Sequence, residues 1–417
     1  MFSTIIIGGG AAGLAAATFL ARRLPEGRVL VLEKGARVGK KLLATGNGSC
    51  NLSNKNTSAA NYHGADPAFV SPALAAFPPE AAMDFFASIG VICKTRTDGR
   101  VYPLCEQAAA VLDALRLAGT AGGRECHCEI RNDMAVTGLR RGGDNWTVSA
   151  DSEEFSARCV LVAAGGAASP SLGGGNDGYR LLESAGHQKL PLFPAIVPIK
   201  TDTAYIKAMQ GIRVNGTAAL LHNGKPLAAE TGEILFTAYG LSGPAVMRLG
   251  RAAADWERRR EGELTVSLNL LPGWNPDRLT DELARRRLLP SRTAENWLTG
   301  LLHSRVGQTV VRRAGLSLTR PLDSLVLEEI RAAAGTALAF PAVVEGTAGW
   351  SAAQVTAGGI ATAEFDPVTM QSRLAPGLFA AGEVLDIDGD CGGYNLQWAW
   401  SSANAAAEGI LRYLRKK

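Results

Sequence analysis

Residues 4–33 read TIIIGGGAAGLAAATFLARRLPEGRVLVLE, and this stretch decides the fold. A short apolar strand leads into a glycine turn, an alanine-rich helix follows, and a second apolar strand ends at Glu33. The turn matches G-x-G-x-x-G: its first glycine permits a tight turn, its second lets the backbone approach a pyrophosphate, and its third lets the helix pack against the strand. The sequence therefore predicts a Rossmann-like α/β domain that binds a dinucleotide.

The predicted dinucleotide contacts in this stretch come from the turn and from the acid. Free N–H groups at the positive end of the helix would bind the pyrophosphate. Glu33 lies 20 residues beyond Gly13, a position from which an acid accepts hydrogen bonds from the adenosine ribose. The alternative is an acid that merely ends a strand at the surface. The candidate ligands are Gly8, Gly10, Ala11, Ala12, Gly13 and Glu33.

Composition narrows the class of protein. The 417 residues are 47% hydrophobic and carry a net charge of +4, which predicts a packed protein of two or three domains. Arginine clusters at 258–260, 285–287 and 312–313 have no interleaved aromatic residues, so nucleic-acid binding is not expected. Seven cysteines without secretory features predict free thiols and a cytoplasmic location.

Neither a metal site nor a membrane-spanning segment is expected. The C-x-C pattern at 126–128 has no second ligand pair, so no metal site is predicted. Residues 1–21 carry no charged side chain, but they lack a basic leader and contain the nucleotide motif, and no other apolar run is long enough to span a bilayer. A membrane partner is therefore not expected.

Distant glycine turns favour FAD over NAD. The ribityl chain and ring of FAD need further close backbone approaches, and three turns beyond the first motif can supply them. An apolar strand ends at Gly382 and Glu383, another ends at residues 164–165, and a glycine pair precedes a predicted helix from Leu396. A helix N-terminus there would stabilise negative charge near the flavin C2=O. The candidate ligands are Ala164, Gly165, Gly382, Glu383, Gly392, Gly393, Asn395 and Leu396.

A second G-x-G-x-x-G, at 173–178, does not follow an apolar strand and is interpreted as a loop. One dinucleotide site is therefore expected, and NAD(P)H would approach the flavin transiently. The amino-acid composition changes near Pro191, and glycine turns return at Val355. These two features predict an FAD-binding domain in two parts, 1–190 and 351–417. Residues 191–350 would form an inserted β-rich domain with a helical segment.

Four motifs carry a resemblance to a known family: GKKLLATGNGSCNLSN at 39–54, GRVYP at 99–103, LFTAYGLSGP at 235–244 and GGYNLQWAWSS at 392–402. They resemble the BaiN-like and aminoacetone-oxidase-like family of bacterial NAD(P)/FAD-dependent oxidoreductases. The resemblance spans nearly the whole chain and implies a two-dinucleotide-binding-type flavoprotein fold with an inserted domain. One departure is Ser49, where the family usually has arginine, and this departure weakens any transfer of the family's substrates.

Further cofactor contacts are expected beyond the glycine turns. Lys34, Lys40 and Lys41 are candidates to neutralise the pyrophosphate, with solvated surface lysines as the alternative. Val136 resembles the residue whose backbone pairs with adenine, with a core valine as the alternative. The loop would contribute Gly46, Asn47, Gly48, Ser49, Cys50 and Asn51.

Catalytic residues are less well defined by the sequence. Tyr394 and Gln397 are the candidates to face substrate, with helix packing and capping as the alternative. Cys50 and Cys391 lack a C-x-x-C context, so inert thiols are favoured over redox-active ones. No histidine stands in any motif, and no general acid is named.

The function expected is that of an FAD-dependent oxidoreductase that transfers hydride through flavin N5. We expect NAD(P)H-dependent reduction of an activated C=C bond in a small organic substrate. The alternatives are a flavin oxidase of a small amine, a tRNA-modifying flavoprotein and a flavin-binding protein without catalysis.

Overall fold

The computed structural model describes residues 1–24, 26–120, 126–289 and 292–416. The chain divides into two compact units. The first unit combines Met1–Phe193 with Gln354–Lys417, and the second is Pro194–Ala353.

The helices of the described residues have amphipathic or alanine-rich sequences. Seven of them have proline in the first turn or arginine in the last turn, which suits helix ends. They are α1 (Ala11–Arg23), α2 (Lys40–Ala44), α3 (Ser71–Ala76), α4 (Pro79–Ser88), α5 (Ala108–Thr120), α6 (Asp177–Ser184), α7 (Pro244–Arg259), α8 (Pro276–Arg286), α9 (Ser304–Arg313), α10 (Leu327–Leu338) and α11 (Tyr394–Arg415).

The strands are mostly short. They are β1 (Phe2–Ile7), β2 (Gly27–Leu32), β3 (Ser53–Asn54), β4 (Tyr62–His63), β5 (Cys93–Thr95), β6 (Arg100–Pro103), β7 (Cys126–Arg131), β8 (Val136–Gly142), β9 (Asn145–Ala150), β10 (Glu153–Val162), β11 (Phe193–Ala195), β12 (Ile199–Thr201), β13 (Arg213–His222), β14 (Lys225–Thr237), β15 (Gly240–Ser242), β16 (Leu264–Asn269), β17 (Phe340–Thr347), β18 (Val355–Ala357), β19 (Leu378–Ala380) and β20 (Asp388–Gly389).

The first unit is built on a seven-stranded sheet in the order β7-β2-β1-β10-β9-β8, with β19 also paired to β10. Strands β7, β2, β1, β10 and β19 are parallel, whereas β8 and β9 form an antiparallel extension. Parallel strands covered on both faces need continuous apolar runs, and Ile5–Ile7 and Val29–Leu32 supply them. The carboxyl ends of β1, β2, β10 and β19 therefore lie on one edge, which is where ligands bind in such sheets.

The second unit contains a closed, antiparallel barrel in the order β12-β15-β14-β13-β16-β17. Its core includes the fully buried side chains of Phe236, Phe340 and Trp297, and α7 to α10 contribute to the same core. The predicted Rossmann-like α/β class with an additional β-rich element is confirmed. None of the helices in the described ranges combines the length and hydropathy that a bilayer crossing requires.

A buried histidine in the first unit gives a prediction about acid stability. His187 Nδ1 lies 2.8 Å from Glu364 Oε2, its Nε2 lies 2.9 Å from Ser372 Oγ, and its ring stacks on Phe365. Burial lowers the pKa of His187 below its ordinary value of 6.5, and this outweighs the opposing effect of Glu364. His187 then binds a proton more readily in the unfolded chain than in the folded one. The free energy of unfolding therefore falls as the pH decreases through the pKa that His187 has in the unfolded chain.

We therefore expect wild type to lose more unfolding free energy between pH 7 and pH 5 than His187→Gln, in denaturant titrations at each pH. The exposed His127 provides the matched control, because His127→Gln should keep the wild-type pH dependence. Parallel curves for wild type and His187→Gln would contradict this role of His187.

Candidate functional site

The first glycine turn is shaped by two close contacts and one open space. A Cβ on Gly8, which has φ of +104°, would lie 2.6 Å from Ala163 O, and a Cβ on Gly13 would lie 1.9 Å from Gly8 O. Glycine is required at both positions by the packing of the protein itself. At Gly10 the backbone is extended, with φ of −83°, and no atom of the described residues lies within 4 Å of a Cβ placed there.

The N-terminus of α1 is free to bind an anion. Its first turn contains no acidic residue and receives no side-chain cap, so the N–H groups that follow Gly10 are available. The open space at Gly10 faces the same end of the helix. A helix N-terminus with these properties is a ready site for a phosphate group.

Glu33 lies beside this turn at the carboxyl end of β2. Its carboxylate accepts hydrogen bonds from Gly9 N at 2.9 Å and from Gly35 N at 2.8 Å, which fix its orientation. Met134 N donates to Glu33 O at 2.9 Å, so the segment that leads to Val136 lies against the acid. Val136 begins β8 at a register shift and is half-buried. The structure thus brings Glu33 and Val136 to the same end of the sheet.

The three candidate lysines have different environments. Lys34 Nζ lies 2.7 Å from Asp177 Oδ2, in a largely exposed ion pair. Lys41 Nζ lies 2.8 Å from Glu383 Oε2, and Glu383 Oε1 accepts from Thr356 N at 2.7 Å. Lys40 is exposed on α2. Two of the three charges are therefore already balanced by carboxylates.

Two further strand ends meet this edge. Gly382 follows β19 with φ of +76°, and its N–H donates to Ser402 Oγ at 3.0 Å. Gly165 follows β10 with φ of +72°, next to the half-buried Ala164, and a Cβ on Gly165 would meet no atom of the described residues within 4 Å. The predicted turns therefore lie at the carboxyl ends of neighbouring parallel strands.

The loop from 45 to 51 has an irregular backbone. Gly46, Asn47, Gly48 and Cys50 all have positive φ, and the first three are exposed. Burial raises the pKa of the Cys50 thiol to about 12, so this thiol is protonated and unsuited to redox exchange. Ser49 is half-buried.

Asn51 connects this loop to the glycine pair before α11. Its Oδ1 is buried and has no hydrogen-bond partner within the described residues. The same atom lies 2.9 Å from the position of a Cβ on Gly393. Gly392 and Gly393 have φ of +147° and +101°, and a Cβ on Gly393 would lie 2.3 Å from Ser53 O. Only glycine permits this close approach of two loops.

Helix α11 begins at Tyr394, two residues before the predicted start at Leu396. It has no acidic residue in its first turn and no side-chain cap, so the backbone N–H groups of Asn395 and Leu396 are available to a ligand. Tyr394 is half-buried and packs edge-to-face on Tyr62, whose hydroxyl donates to Tyr394 O at 3.0 Å. Tyr394 therefore stays at the site as a candidate.

The suggestion that Gln397 faces substrate is wrong. Its side chain is fully buried, its Nε2 donates to Phe77 O and Ser401 Oγ at 2.9 Å each, and its Oε1 accepts from Ser53 Oγ at 2.6 Å. Every polar atom of the amide is thus satisfied inside the protein. The packing alternative describes Gln397 correctly.

The Asn395 side chain is also committed to the protein. Its Oδ1 accepts from Gly389 N at 2.8 Å, and its Nδ2 donates to Gly389 O at 2.8 Å. Asn395 can therefore serve a ligand only through its backbone N–H. The neighbouring Trp398 and Trp400 are buried, and their indole N–H groups donate to Gly382 O and Leu52 O.

Sequence reasoning missed His63. Its Nε2 lies 2.8 Å from Asp390 Oδ1, two residues before Gly392. His63 belongs to a two-residue strand without a motif, and its pairing with β20 joins segments more than three hundred residues apart. No local signal identifies such a contact.

These features fit FAD. The open space at Gly10, the orphaned Asn51 Oδ1 and two uncapped helix N-termini suit a long cofactor with a pyrophosphate at one end and an electron-accepting ring at the other. Glu33 provides the acceptor for a ribose. No group of three or more His, Cys, Asp or Glu in the described ranges is arranged to hold a metal ion.

Comparison with known proteins agrees with this geometry. Residues 2–409 match the family model described as the HI0933-like protein Rossmann domain. The chain is 37% identical to a 3-dehydro-bile acid delta(4,6)-reductase from Clostridium scindens, over 97% of this chain and 98% of the relative. It is 29% identical to a ribosomal RNA dihydrouridine synthase from Escherichia coli, over 98% of both chains.

Among solved structures, a 3-ketosteroid delta1-dehydrogenase from Sterolibacterium denitrificans is similar with a TM-score of 0.51 and 12% identity, over the full length of both chains. This likeness concerns the fold alone. Fold, site and relatives together define an FAD-dependent oxidoreductase. The chain belongs to the HI0933-like family of Rossmann flavoproteins, which confirms the resemblance seen in its motifs.

Proposed function

We propose that this flavoenzyme reduces a C=C bond conjugated to a carbonyl group in a small organic substrate, with NAD(P)H as the reductant. The observation that carries the proposal is the full-length identity of 37% to a reductase of a 3-dehydro, delta(4,6)-unsaturated bile acid. A dihydrouridine synthase also saturates a C=C bond next to a carbonyl, in a pyrimidine. Two relatives with different substrates thus carry out the same reaction, the reduction of a C=C bond next to a carbonyl. This is the reaction that we assign to the protein.

The proposal gives roles to the described residues. The α1 N-terminus, with Gly8, Gly10, Ala11, Ala12 and Gly13, would bind the pyrophosphate, and Glu33 would accept from the ribose. The α11 N-terminus would stabilise negative charge on the ring through the N–H groups of Asn395 and Leu396. Bound FAD would supply the hydride chemistry. The remaining proposed contacts are Lys34, Lys40, Lys41, Gly46, Asn47, Gly48, Ser49, Cys50, Asn51, Val136, Ala164, Gly165, Gly382, Glu383, Gly392 and Gly393.

The domain limits belong to the same proposal. Residues 1–190 and 351–417 would act as the FAD-binding domain, and 191–350 would act as an inserted domain. A cytoplasmic location also stays a prediction.

RNA is the second candidate substrate, because two relatives are ribosomal RNA dihydrouridine synthases. Two of the three arginine clusters, at 258–260 and 285–287, offer little support for it. Arg258 and Arg259 pair with Asp255, Arg285 and Arg286 pair with Glu282, and Arg287 donates to Leu325 O. Arginines committed to intramolecular pairs are poorly placed to bind phosphates, so a small substrate is favoured.

Anaerobic stopped-flow absorbance tests the proposal in two steps. NADH or NADPH should bleach the flavin, and a conjugated enone such as a 3-keto-delta(4,6)-steroid should then restore its colour. Restoration by a uridine-containing ribosomal RNA transcript, but not by enones, would favour the RNA substrate. Bleaching by small amines with re-oxidation by oxygen alone would identify an oxidase, and a flavin that no donor bleaches would contradict an enzymatic role.

A further inference from the structure

A histidine–aspartate pair lies beside the glycine turn that begins α11. His63 Nε2 and Asp390 Oδ1 are 2.8 Å apart, and each side chain is 38% exposed. Because an ionised carboxylate only accepts hydrogen bonds, Nε2 carries the hydrogen of this contact. Within the described part of the chain, His63 Nδ1 has no hydrogen-bond partner. Nδ1 is therefore the atom that can gain or lose a proton.

The backbone around the pair holds it in place. Strands β4 and β20 pair antiparallel, with His63 opposite Asp388. Asp390 N donates to Asn61 O at 2.9 Å, and Asn61 Nδ2 lies 3.4 Å from Asp390 Oδ2. The carboxylate is thus oriented from one side by Asn61 and from the other by His63.

The surroundings of the pair contain other titratable groups. Asp386 and Asp388 lie on the same segment as Asp390 and are buried, and Asp386 Oδ2 accepts from Ala65 N at 2.7 Å. Tyr62 is next to His63 in the chain, and Tyr394 packs on Tyr62. Burial raises the pKa of Tyr62 well above its ordinary value, so this phenol stays protonated and is a poor proton donor. His63 contributes the imidazole of this group, and its side chain is reachable by solvent.

We propose that His63 donates the proton that completes reduction of the C=C bond, and that Asp390 is its positioning residue. The proposal rests on the function proposed above. In that reaction one alkene carbon receives a hydride, whose two electrons come from a nicotinamide by way of the cofactor. The other carbon, next to the carbonyl, receives a proton from Nδ1 of the His63 imidazolium. His63 is left neutral, with its remaining hydrogen on Nε2 towards Asp390, and it regains a proton from water.

His63→Gln tests this proposal, because glutamine can still donate to Asp390 but cannot release a proton. In the FAD-loaded enzyme, bleaching by NAD(P)H should change less than about 3-fold, since that half-reaction needs no proton from His63. Re-oxidation by the enone should slow by roughly 10²–10⁴-fold, the usual worth of a positioned general acid. Asp390→Asn should slow the same step by a smaller factor, and the matched control His127→Gln should leave both steps unchanged.

Nitrogen NMR of the imidazole gives a readout that does not depend on turnover. The neutral form of His63 should be the Nε2–H tautomer in wild type and a tautomer mixture in Asp390→Asn, with His63→Gln used to assign the signal. A wild-type Nδ1–H tautomer would overturn the arrangement. If the enone re-oxidises wild type and His63→Gln at the same rate, water is the proton source. That result would overturn the role of His63 and leave the proposed function standing. An enone that fails to re-oxidise even wild type would contradict the proposed function and, with it, this role.

Discussion

Replacement of Gly10 by valine gives a folded but colourless protein. Gly10 has an extended backbone that valine adopts readily, and no atom of the described residues lies within 4 Å of an added Cβ. The protein itself therefore tolerates the side chain. A bound pyrophosphate does not, because it needs the space in front of the α1 N-terminus. We expect FAD affinity to fall by at least about 100-fold, or roughly 2.7 kcal/mol.

Two other glycines make this result interpretable. Gly142 is exposed at the end of β8, and a Cβ there would also meet no atom of the described residues within 4 Å, so Gly142→Val should keep full FAD occupancy. Gly13→Ala should instead impair folding, since its Cβ would lie 1.9 Å from Gly8 O. The measurements are flavin absorbance, heat release of FAD and circular dichroism. A yellow Gly10→Val protein with normal FAD content would place the pyrophosphate elsewhere.

The contrast among these glycines shows which parts of the fold the sequence could predict. The strand, turn, helix and acid of 4–33 are contiguous, so local spacing specifies their geometry, and the structure has each of them. The strand end at Gly382 was predictable for the same reason. The closure of the barrel could not be predicted from the sequence. It depends on the pairing of Ile199 with Thr347, and no local pattern encodes that register.

Side-chain partners distant in sequence account for what was missed at the site. The helix pattern could show that Gln397 lies near the α11 N-terminus, but its partners, Phe77 and Ser53, come from loops far away in the chain. His63 and Asp390 meet for a similar reason. Strand β7 pairs in parallel with β2, because a crossover through α5 precedes it. The strands β8, β9 and the first part of β10 pair antiparallel.

Gln397 gives the second large effect, on stability. The side chain links α11 to Phe77, at the junction of α3 and α4, and to Ser53 in β3. Replacement by leucine keeps a similar volume but removes three buried hydrogen bonds. Phe77 O still accepts from Ser401 Oγ at 2.7 Å, whereas the buried Ser53 hydroxyl loses Gln397 as its acceptor. An unsatisfied buried group costs about 1–3 kcal/mol, so we expect a total loss of roughly 2–4 kcal/mol in unfolding free energy.

The exposed Gln107 is the matched control, and Gln107→Leu should change stability by less than about 0.5 kcal/mol. Denaturant unfolding of the FAD-loaded proteins measures both changes. Because Ser53 O faces the Gly393 turn, a displaced Ser53 should also disturb the N-terminus of α11 and weaken FAD binding. A Gln397→Leu protein as stable as wild type would mean that this amide does not hold α11 in place. A normal catalytic rate in a destabilised variant would agree with a purely structural Gln397.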